Sequence, residues 1–129
     1  MRNKYNSHKV TINGVTFDSK KEYKRYCELA LLEKAGQITD LQRQCEFELI
    51  PAQYETFERY GKNGKRLNDG RKCIEKSVKY IADFVYLQNG KTVVEDVKGY
   101  RDPQSAGYAK FVLKRKMMLY FHNIKIKEV

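Results

Sequence analysis

Tyr80-Ile-Ala-Asp-Phe-Val-Tyr-Leu-Gln-Asn-Gly-Lys-Thr-Val-Val-Glu-Asp-Val-Lys-Gly-Tyr100 decides how this chain is read. Asn89-Gly90 is the strongest short hairpin signal, and a two-residue loop there sets Gln88 opposite Lys91. Each step outward preserves the sum of the paired numbers, so Asp83 falls opposite Asp96. Directly opposed residues hold their Cβ atoms roughly 4.5 to 5.5 Å apart on one face, where like charges destabilise a sheet. Alternation puts Ile81, Val85, Leu87 and Val94 on one face and Ala82, Phe84, Tyr86, Val93 and Val97 on the other. Both faces are mostly apolar, the pattern of an interior hairpin. Two carboxylates there raise each other's pKa and favour a shared proton unless a cation lies between them.

A hard divalent ion fits that role, because Mg²⁺ prefers oxygen ligands, is commonly held by one or two carboxylates and keeps waters. Mn²⁺ is the expected substitute. Lys98, two residues after Asp96, projects from the same face, so one strand presents a ligand and a cation side by side. Glu95 points to the opposite face, across from Phe84, which favours Asp96 as the ligand; a β-bulge would shift that assignment by one. The competing reading of Asp83, Asp96 and Lys98 is a structural salt-bridge cluster at a sheet end.

At these residues the chain resembles the restriction-endonuclease-like PD-(D/E)xK nuclease superfamily, whose signature is an acidic residue followed, on the next strand, by (Asp or Glu)-x-Lys. Here that reads Asp83, then Asp96-Val97-Lys98. The stretches Phe17-Asp-Ser-Lys-Lys-Glu22, Tyr80-Ile-Ala-Asp-Phe-Val85 and Val94-Glu-Asp-Val-Lys-Gly99 look like a group of small phage proteins assigned to that superfamily. The resemblance implies an α+β (α/β) fold: helix, three-stranded meander, helix and strand, with a central mixed sheet flanked by helices.

The 129 residues allow one domain with one core. Hydrophobic content of 41%, with ten Tyr and six Phe, supports a folded chain. The charge of +10 favours a polyanionic partner such as nucleic acid. No apolar run approaches a membrane span and the N-terminus lacks a signal-peptide core, so a cytoplasmic location is expected, in a bacterial host if the chain is phage-encoded. Cys27, Cys45 and Cys73 form no Cys-x-x-Cys and have only His8 and His122 as partners, which argues against zinc and, in a reducing compartment, against disulfides. Both histidines read as non-catalytic.

Working outward along the chain, Val10, Ile12, Val15 and Phe17 around Asn13-Gly14 suggest a small hairpin. Ser19-Lys-Lys-Glu22 is a capping-box pattern opening a helix to about Lys34, with Gly36 as its stop and Tyr23, Tyr26, Cys27, Ala30 and Leu31 as its core stripe. Cys45 to Ile50 reads as a strand ending at Pro51. Residues 54–79, with Gly61, Gly64 and Asn68-Asp69-Gly70, read as a basic loop or hairpin extension. Asp102-Pro103 is a helix start, which Gly107 could delay to about Tyr108, and the helix should end near His122. Ala109, Val112, Leu113, Met117 and Tyr120 supply its apolar face, before an edge strand around Ile124 and Ile126.

Two explanations of Glu22 stand side by side: the capping box accounts for it fully, while the superfamily resemblance implies a first-helix acid that serves as a third metal ligand or orients water. From Arg59 to Lys79 eight basic residues accompany two acidic ones, and Arg59, Lys62, Lys65, Arg66, Arg71 and Lys72 are candidates for tracking a phosphate backbone. Tyr54, Phe57 and Tyr60 nearby could stack on bases or pack on the core. On the second helix Lys110 and Lys114 share a face and could line the cleft; a simple polar helix face is the other reading.

The leading expectation is a divalent-metal-dependent endodeoxyribonuclease in which Asp83 and Asp96 hold one or two Mg²⁺ ions, Lys98 orients the attacking water or neutralises the developing charge, and Glu22 assists. The resemblance implies 5′-phosphate and 3′-hydroxyl products and a role in phage DNA metabolism, with branched DNA such as a four-way junction a candidate substrate. Symmetrical cutting of two strands would need a homodimer. The competing classes are a noncatalytic nucleic-acid-binding module on the same scaffold and a structural or regulatory phage protein whose acidic pair serves folding.

Overall fold

A computed structural model describes residues 9–99 and 102–129; His8 and Tyr100, the outer end of the expected hairpin, lie outside them. The chain runs β1 (Val10–Ile12), β2 (Val15–Phe17), α1 (Lys20–Lys34), β3 (Thr39–Ile50), β4 (Gln53–Tyr60), β5 (Arg66–Glu75), β6 (Val78–Gln88), β7 (Lys91–Asp96), α2 (Ala106–His122) and β8 (Lys127–Glu128). Two hairpins close on Asn-Gly: φ is 52° and 77° at Asn13 and Gly14, and 52° and 75° at Asn89 and Gly90. Positive φ at both central residues matches the twist of the flanking strands, which is why this dipeptide sets both registers.

β3, β6, β7 and β8 form a four-stranded sheet in that order. β3 and β7 each run antiparallel to β6 and β8 runs parallel to β7, so the fold is α+β with a central mixed sheet. One apolar cluster joins Tyr80, Ala82 and Val94 of the sheet to Phe111 and Met118 of α2. The other joins Phe84 and Tyr86 to Leu29 of α1 and to Ile38. The sheet thus lies between the helices. Among the described residues no helix is long and apolar enough to cross a membrane.

Strict alternation would keep Ala82 with Phe84 and Tyr86, but Ala82 packs with the α2 cluster and the other two with the α1 cluster. The side-chain phase of β6 therefore inverts at Asp83. The neighbouring strand leaves extended backbone at the same level without losing register: Arg43 pairs with Phe84 and Cys45 with Ala82, and Gln44 between them has φ 51°. Left-handed backbone at a non-glycine residue costs energy and tends to persist at functional sites.

α1 begins as expected, with Ser19 Oγ accepting from Glu22 N at 3.1 Å, and ends in a Schellman motif: Gly36 N donates to Glu33 O and Gln37 N to Leu32 O. Its inward stripe differs from the expected one. Glu22 and Leu29 are buried, Tyr26 and Leu32 pack on the core and Leu31 is 69% exposed. Two charged residues, Glu22 and Arg25, occupy inward positions that apolar periodicity assigns to solvent.

Arg25 is there because Glu95 is. Glu95, on the α1 side of β7, is fully buried and receives Arg25 Nε at 2.7 Å, Arg25 Nη2 at 2.8 Å and the Tyr86 hydroxyl. Burial alone would push the Glu95 carboxyl up, but Arg25 and Tyr86 outweigh it and hold it below the usual range. Arg25→Ala would strand a buried charge, so we expect about 3 kcal/mol of lost stability in urea unfolding. An Arg25→Met/Glu95→Leu pair should recover most of it.

Of residues 54–79, those in β4 and β5 form a two-stranded ribbon, while Val78 and Lys79 already belong to β6. β4 and β5 pair only with each other, and the chain turns at Gly61–Lys65, where Gly61 N donates to Lys65 O. Asn68-Asp69-Gly70 is no turn but part of β5, where Asn68 and Asp69 form a bulge between the Phe57↔Gly70 and Arg59↔Leu67 pairs. α2 starts at Ser105, whose Oγ accepts from Tyr108 N, while Asp102 Oδ1 caps a preceding turn through Gln104 N. Its inward residues are Tyr108, Phe111, Met117 and Met118; Ala109, Leu113 and Tyr120 are exposed, contrary to expectation.

Candidate metal centre

The β6–β7 ladder follows the expected register from Gln88↔Lys91 to Phe84↔Glu95 and stops there. Asp83 and Asp96, expected as the next pair, are not joined through the backbone. Instead Asp83 Oδ2 accepts from Val97 N at 2.8 Å, so the carboxylate takes the donor that lies beyond the ladder's end. On the α2 side of β7, Asp96 Oδ2 accepts from the Tyr80 hydroxyl at 2.6 Å, and Asp96 Oδ1 lies 2.9 Å from Lys98 Nζ. Lys98 Nζ also sits 3.6 Å from the centroid of the Phe111 ring, a cation–π contact that anchors the ammonium.

Glu22 enters from the first turn of α1. Its Oε2 accepts from Asp18 N at 2.9 Å, one residue before the Ser19 amide that the capping box predicts. Its Oε1 accepts from Gln44 Nε2 at 3.1 Å, and Arg43 Nη2 lies 3.8 Å away. The same Gln44 Nε2 donates to Asp83 Oδ1 at 3.3 Å, so one amide bridges two carboxylates. Oxygens of Asp18, Glu22 and Asp83 lie within 4.8 Å of one another. Glu22, Gln44, Asp83, Asp96 and Lys98 line a single cleft of about 750 Å³, joined by Tyr108 from α2.

Burial, reinforced by the charge of Asp96, pushes the Asp83 carboxyl up to about 7, despite the opposing Val97 amide. Glu22 is raised too, mainly by burial, with the Asp18 amide opposing. Tyr80 is raised by burial and by Asp96, so its hydroxyl keeps its proton and donates. Burial and the neighbouring Asp96 charge therefore favour a proton on Asp83 when no cation is bound.

The structure thus brings together Glu22, Asp83, Asp96 and Lys98. It does not bring Lys110 or Lys114 to the cleft: Lys110 is exposed, Lys114 half-buried, and α2 offers Ser105, Gly107 and Tyr108 there instead. Arg59, Lys62, Lys65, Arg66, Arg71 and Lys72 lie on the ribbon and its turn. Sequence reasoning missed Asp18 and Gln44. Asp18 stands inside the quoted Phe17–Glu22 stretch and was legible as a further acid; Gln44 carries no sequence signal, because its role depends on a left-handed residue facing Asp83.

Gln44→Ala removes the bridge and leaves Glu22 Oε1 with only Arg43 nearby. Each lost hydrogen bond to a charged group is worth about 1.5 to 3 kcal/mol, so we expect about 2 kcal/mol of lost stability without divalent ions. Saturating Mn²⁺ should recover more of the melting temperature in this variant than in wild type.

A family model described as a protein of unknown function, DUF1064, matches residues 2–128. The chain belongs to the DUF1064 family. No curated protein and no solved structure matches it. In this DUF1064 chain the cleft is lined from both helices and from β3, β6 and β7. Glu22 of α1, Asp83 of β6 and Asp96 of β7 offer carboxylate oxygens to it, while Gln44 of β3 turns its amide nitrogen to two of them. Carboxylate oxygens are the donor type that hard divalent ions prefer.

Proposed function

We propose that this chain is a divalent-metal-dependent nuclease that hydrolyses DNA phosphodiesters, with a PD-(D/E)xK site. The observation that carries the reading is the meeting of Glu22, Asp83 and Asp96, from three elements, in one cleft with Lys98. The order α1, β3–β6–β7, α2, β8, with the last strand parallel to β7, supports it, because it is the core order of that superfamily.

Asp83, Asp96 and Glu22 would hold the ion, and Asp18, at the cleft edge, is a further oxygen donor. When bound, a divalent ion polarises a phosphoryl oxygen and lowers the pKa of water. The chain's own residues do the rest. Lys98, steadied by Asp96 and the Phe111 ring, neutralises charge that grows on the phosphate in the transition state. Tyr80 holds Asp96 Oδ2 in place, and Val97 N fixes Asp83 Oδ2, so neither carboxylate must reorganise as charge develops. Cutting both strands of a duplex or a four-way junction would take two copies, one site each.

Labelled junction, linear duplex and single-stranded DNA, incubated with the protein in Mg²⁺, Mn²⁺ or EDTA, test this. Products that require metal and end in 5′-phosphate and 3′-hydroxyl are expected. Binding to all three substrates with no cutting in either metal would replace the nuclease by a noncatalytic nucleic-acid-binding module.

A further inference from the structure

The β4–β5 ribbon is exposed along its whole length except at Gly70, and its apolar side chains are not covered: Tyr54, Phe57, Tyr60, Leu67 and Ile74 are 41–57% exposed. A lone two-stranded hairpin is marginally stable in water. This one is braced from within. A Cβ at Gly70 would lie 2.3 Å from Phe57 Cζ, so the Phe57 ring lies directly on the opposing glycine backbone and ties the two strands together.

Charge along the ribbon is graded. Its base mixes Glu55, Glu58, Asp69 and Glu75 with Arg71 and Lys72, whereas residues 59–66 hold Arg59, Lys62, Lys65 and Arg66 and no acid. One face gathers Tyr54, Thr56, Glu58 and Tyr60 with the cross-strand partners Cys73, Arg71 and Arg66, and Glu58 accepts from the Tyr60 hydroxyl at 2.8 Å. Arg71 lies 4.0 Å from the Tyr54 ring centroid, and Arg66, 6.0 Å from that of Tyr60, is braced by Asp69 at 2.5 Å. Planar donors held in place on a stiff, basic two-stranded element fit base edges as well as phosphates.

We infer that this ribbon enters the major groove of duplex DNA, with the Thr56–Arg71 face toward the bases and the tip lysines on the phosphates. Size selects the groove. Strands about 4.8 Å apart, with side chains added, match a major groove about 12 Å wide and not a minor groove about 6 Å wide. Reach selects the place: Ile50↔Val78 closes the sheet below the ribbon, and Val78 is five residues from Asp83, roughly 17 Å of strand. Arg71 lies seven residues further along the chain, up to roughly 23 Å more, so the binding face and the cleft fall within two duplex turns of about 34 Å each and a single helical segment can engage both. The placement beside a scissile phosphate rests on the nuclease reading; groove binding itself does not.

The test measures binding in EDTA, where cleavage plays no part. Fluorescent duplex and single strand of equal length are titrated with wild type, with Arg66→Ala/Arg71→Ala, with Lys62→Ala/Lys65→Ala, and with a chain whose residues 51–77 are replaced by an Asn-Gly turn across the Ile50↔Val78 pair. Wild type should prefer duplex at least tenfold. The arginine pair should lose most of that preference, the lysine pair should reduce the salt slope by about 2, and methyl green, a major-groove ligand, should displace the protein where the minor-groove ligand netropsin does not. Equal affinity for the two substrates, an unchanged preference in both the excised and the arginine variant, or displacement by netropsin would overturn the inference. Cleavage of the same duplex in Mg²⁺ separates the two readings: absence of cutting refutes the nuclease alone, while cutting by the ribbon variants at the wild-type rate refutes the ribbon alone.

Discussion

Asp96→Ala should lower the rate of metal-dependent DNA cleavage at least a thousandfold, about 4 kcal/mol of transition-state stabilisation. The loss is large because Asp96 serves two functions at once. In the proposed nuclease it would offer an oxygen to the ion, and it holds Lys98 Nζ at 2.9 Å, so its removal leaves the Phe111 ring as the ammonium's anchor among the described residues. Lys98→Ala, which spares the carboxylates, should cost about a hundredfold to a thousandfold, the usual scale for losing one charge-stabilising donor. Asp96→Asn keeps an oxygen for the Tyr80 hydroxyl and preserves shape, so its melting temperature should stay near that of wild type while its rate falls with the alanine variant. A rate that survives in either Asp96 variant would make the pair a folding feature.

The second large effect is on stability, in the absence of divalent ions. Asp83 is raised from 3.8 to about 7, so between about pH 4 and pH 7 the folded chain binds more protons at this site than the unfolded chain. Its contribution is fully favourable below the unfolded value and is lost as pH rises through that window, levelling off above about pH 7. The shift corresponds to at most ~4 kcal/mol. Asp83→Asn should flatten the slope and raise the melting temperature of the ion-free protein at pH 8. Glu22, also raised, adds to the same slope; Glu95, held low by Arg25, acts in the opposite sense and only in acid, below about its ordinary value of 4.5. Urea unfolding from pH 4 to pH 8 in EDTA measures the sum. A divalent ion reverses the preference by favouring the carboxylate, so its affinity should fall below about pH 7.

Much of the frame was legible because it is set locally. Asn13-Gly14 and Asn89-Gly90 fix two hairpins through backbone preference alone, and Ser19 and Gly36 bracket α1 through its unpaired amides and carbonyls. Counting outward from Asn89-Gly90 gives the right register as far as Phe84↔Glu95, and Glu95 does face away from Asp96. The reading fails where tertiary demands override period. Glu22 and Arg25 take inward positions on α1 because Gln44 and Glu95 meet them there, so a count of apolar residues turns the helix the wrong way. The inversion at Asp83 and Gln44 moves Ala82 to the α2 side, and a Gln in left-handed backbone announces nothing in sequence.

The ribbon and α2 show the same limit in other forms. Asn68-Asp69-Gly70 has turn composition, yet the chain uses it for a bulge and for the close seat of the Phe57 ring, leaving the turn to Gly61–Lys65. Asp102-Pro103 has helix-start composition, yet Asp102 Oδ1 is engaged by Gln104 N and the cap passes to Ser105. Lys110 and Lys114 share a face on paper, but the packing of Tyr108 and Phe111 keeps that face from the cleft.

Binding of Mn²⁺, followed by electron paramagnetic resonance on wild type, Asp83→Asn and Asp96→Asn, each with and without uncleavable phosphorothioate duplex, tests the central claim most directly. Wild type should hold Mn²⁺ at the cleft, more tightly with duplex present and at pH 8 than at pH 6, and each variant should lose that signal. Equal binding by all three proteins, or no binding by wild type even with duplex, would contradict the account.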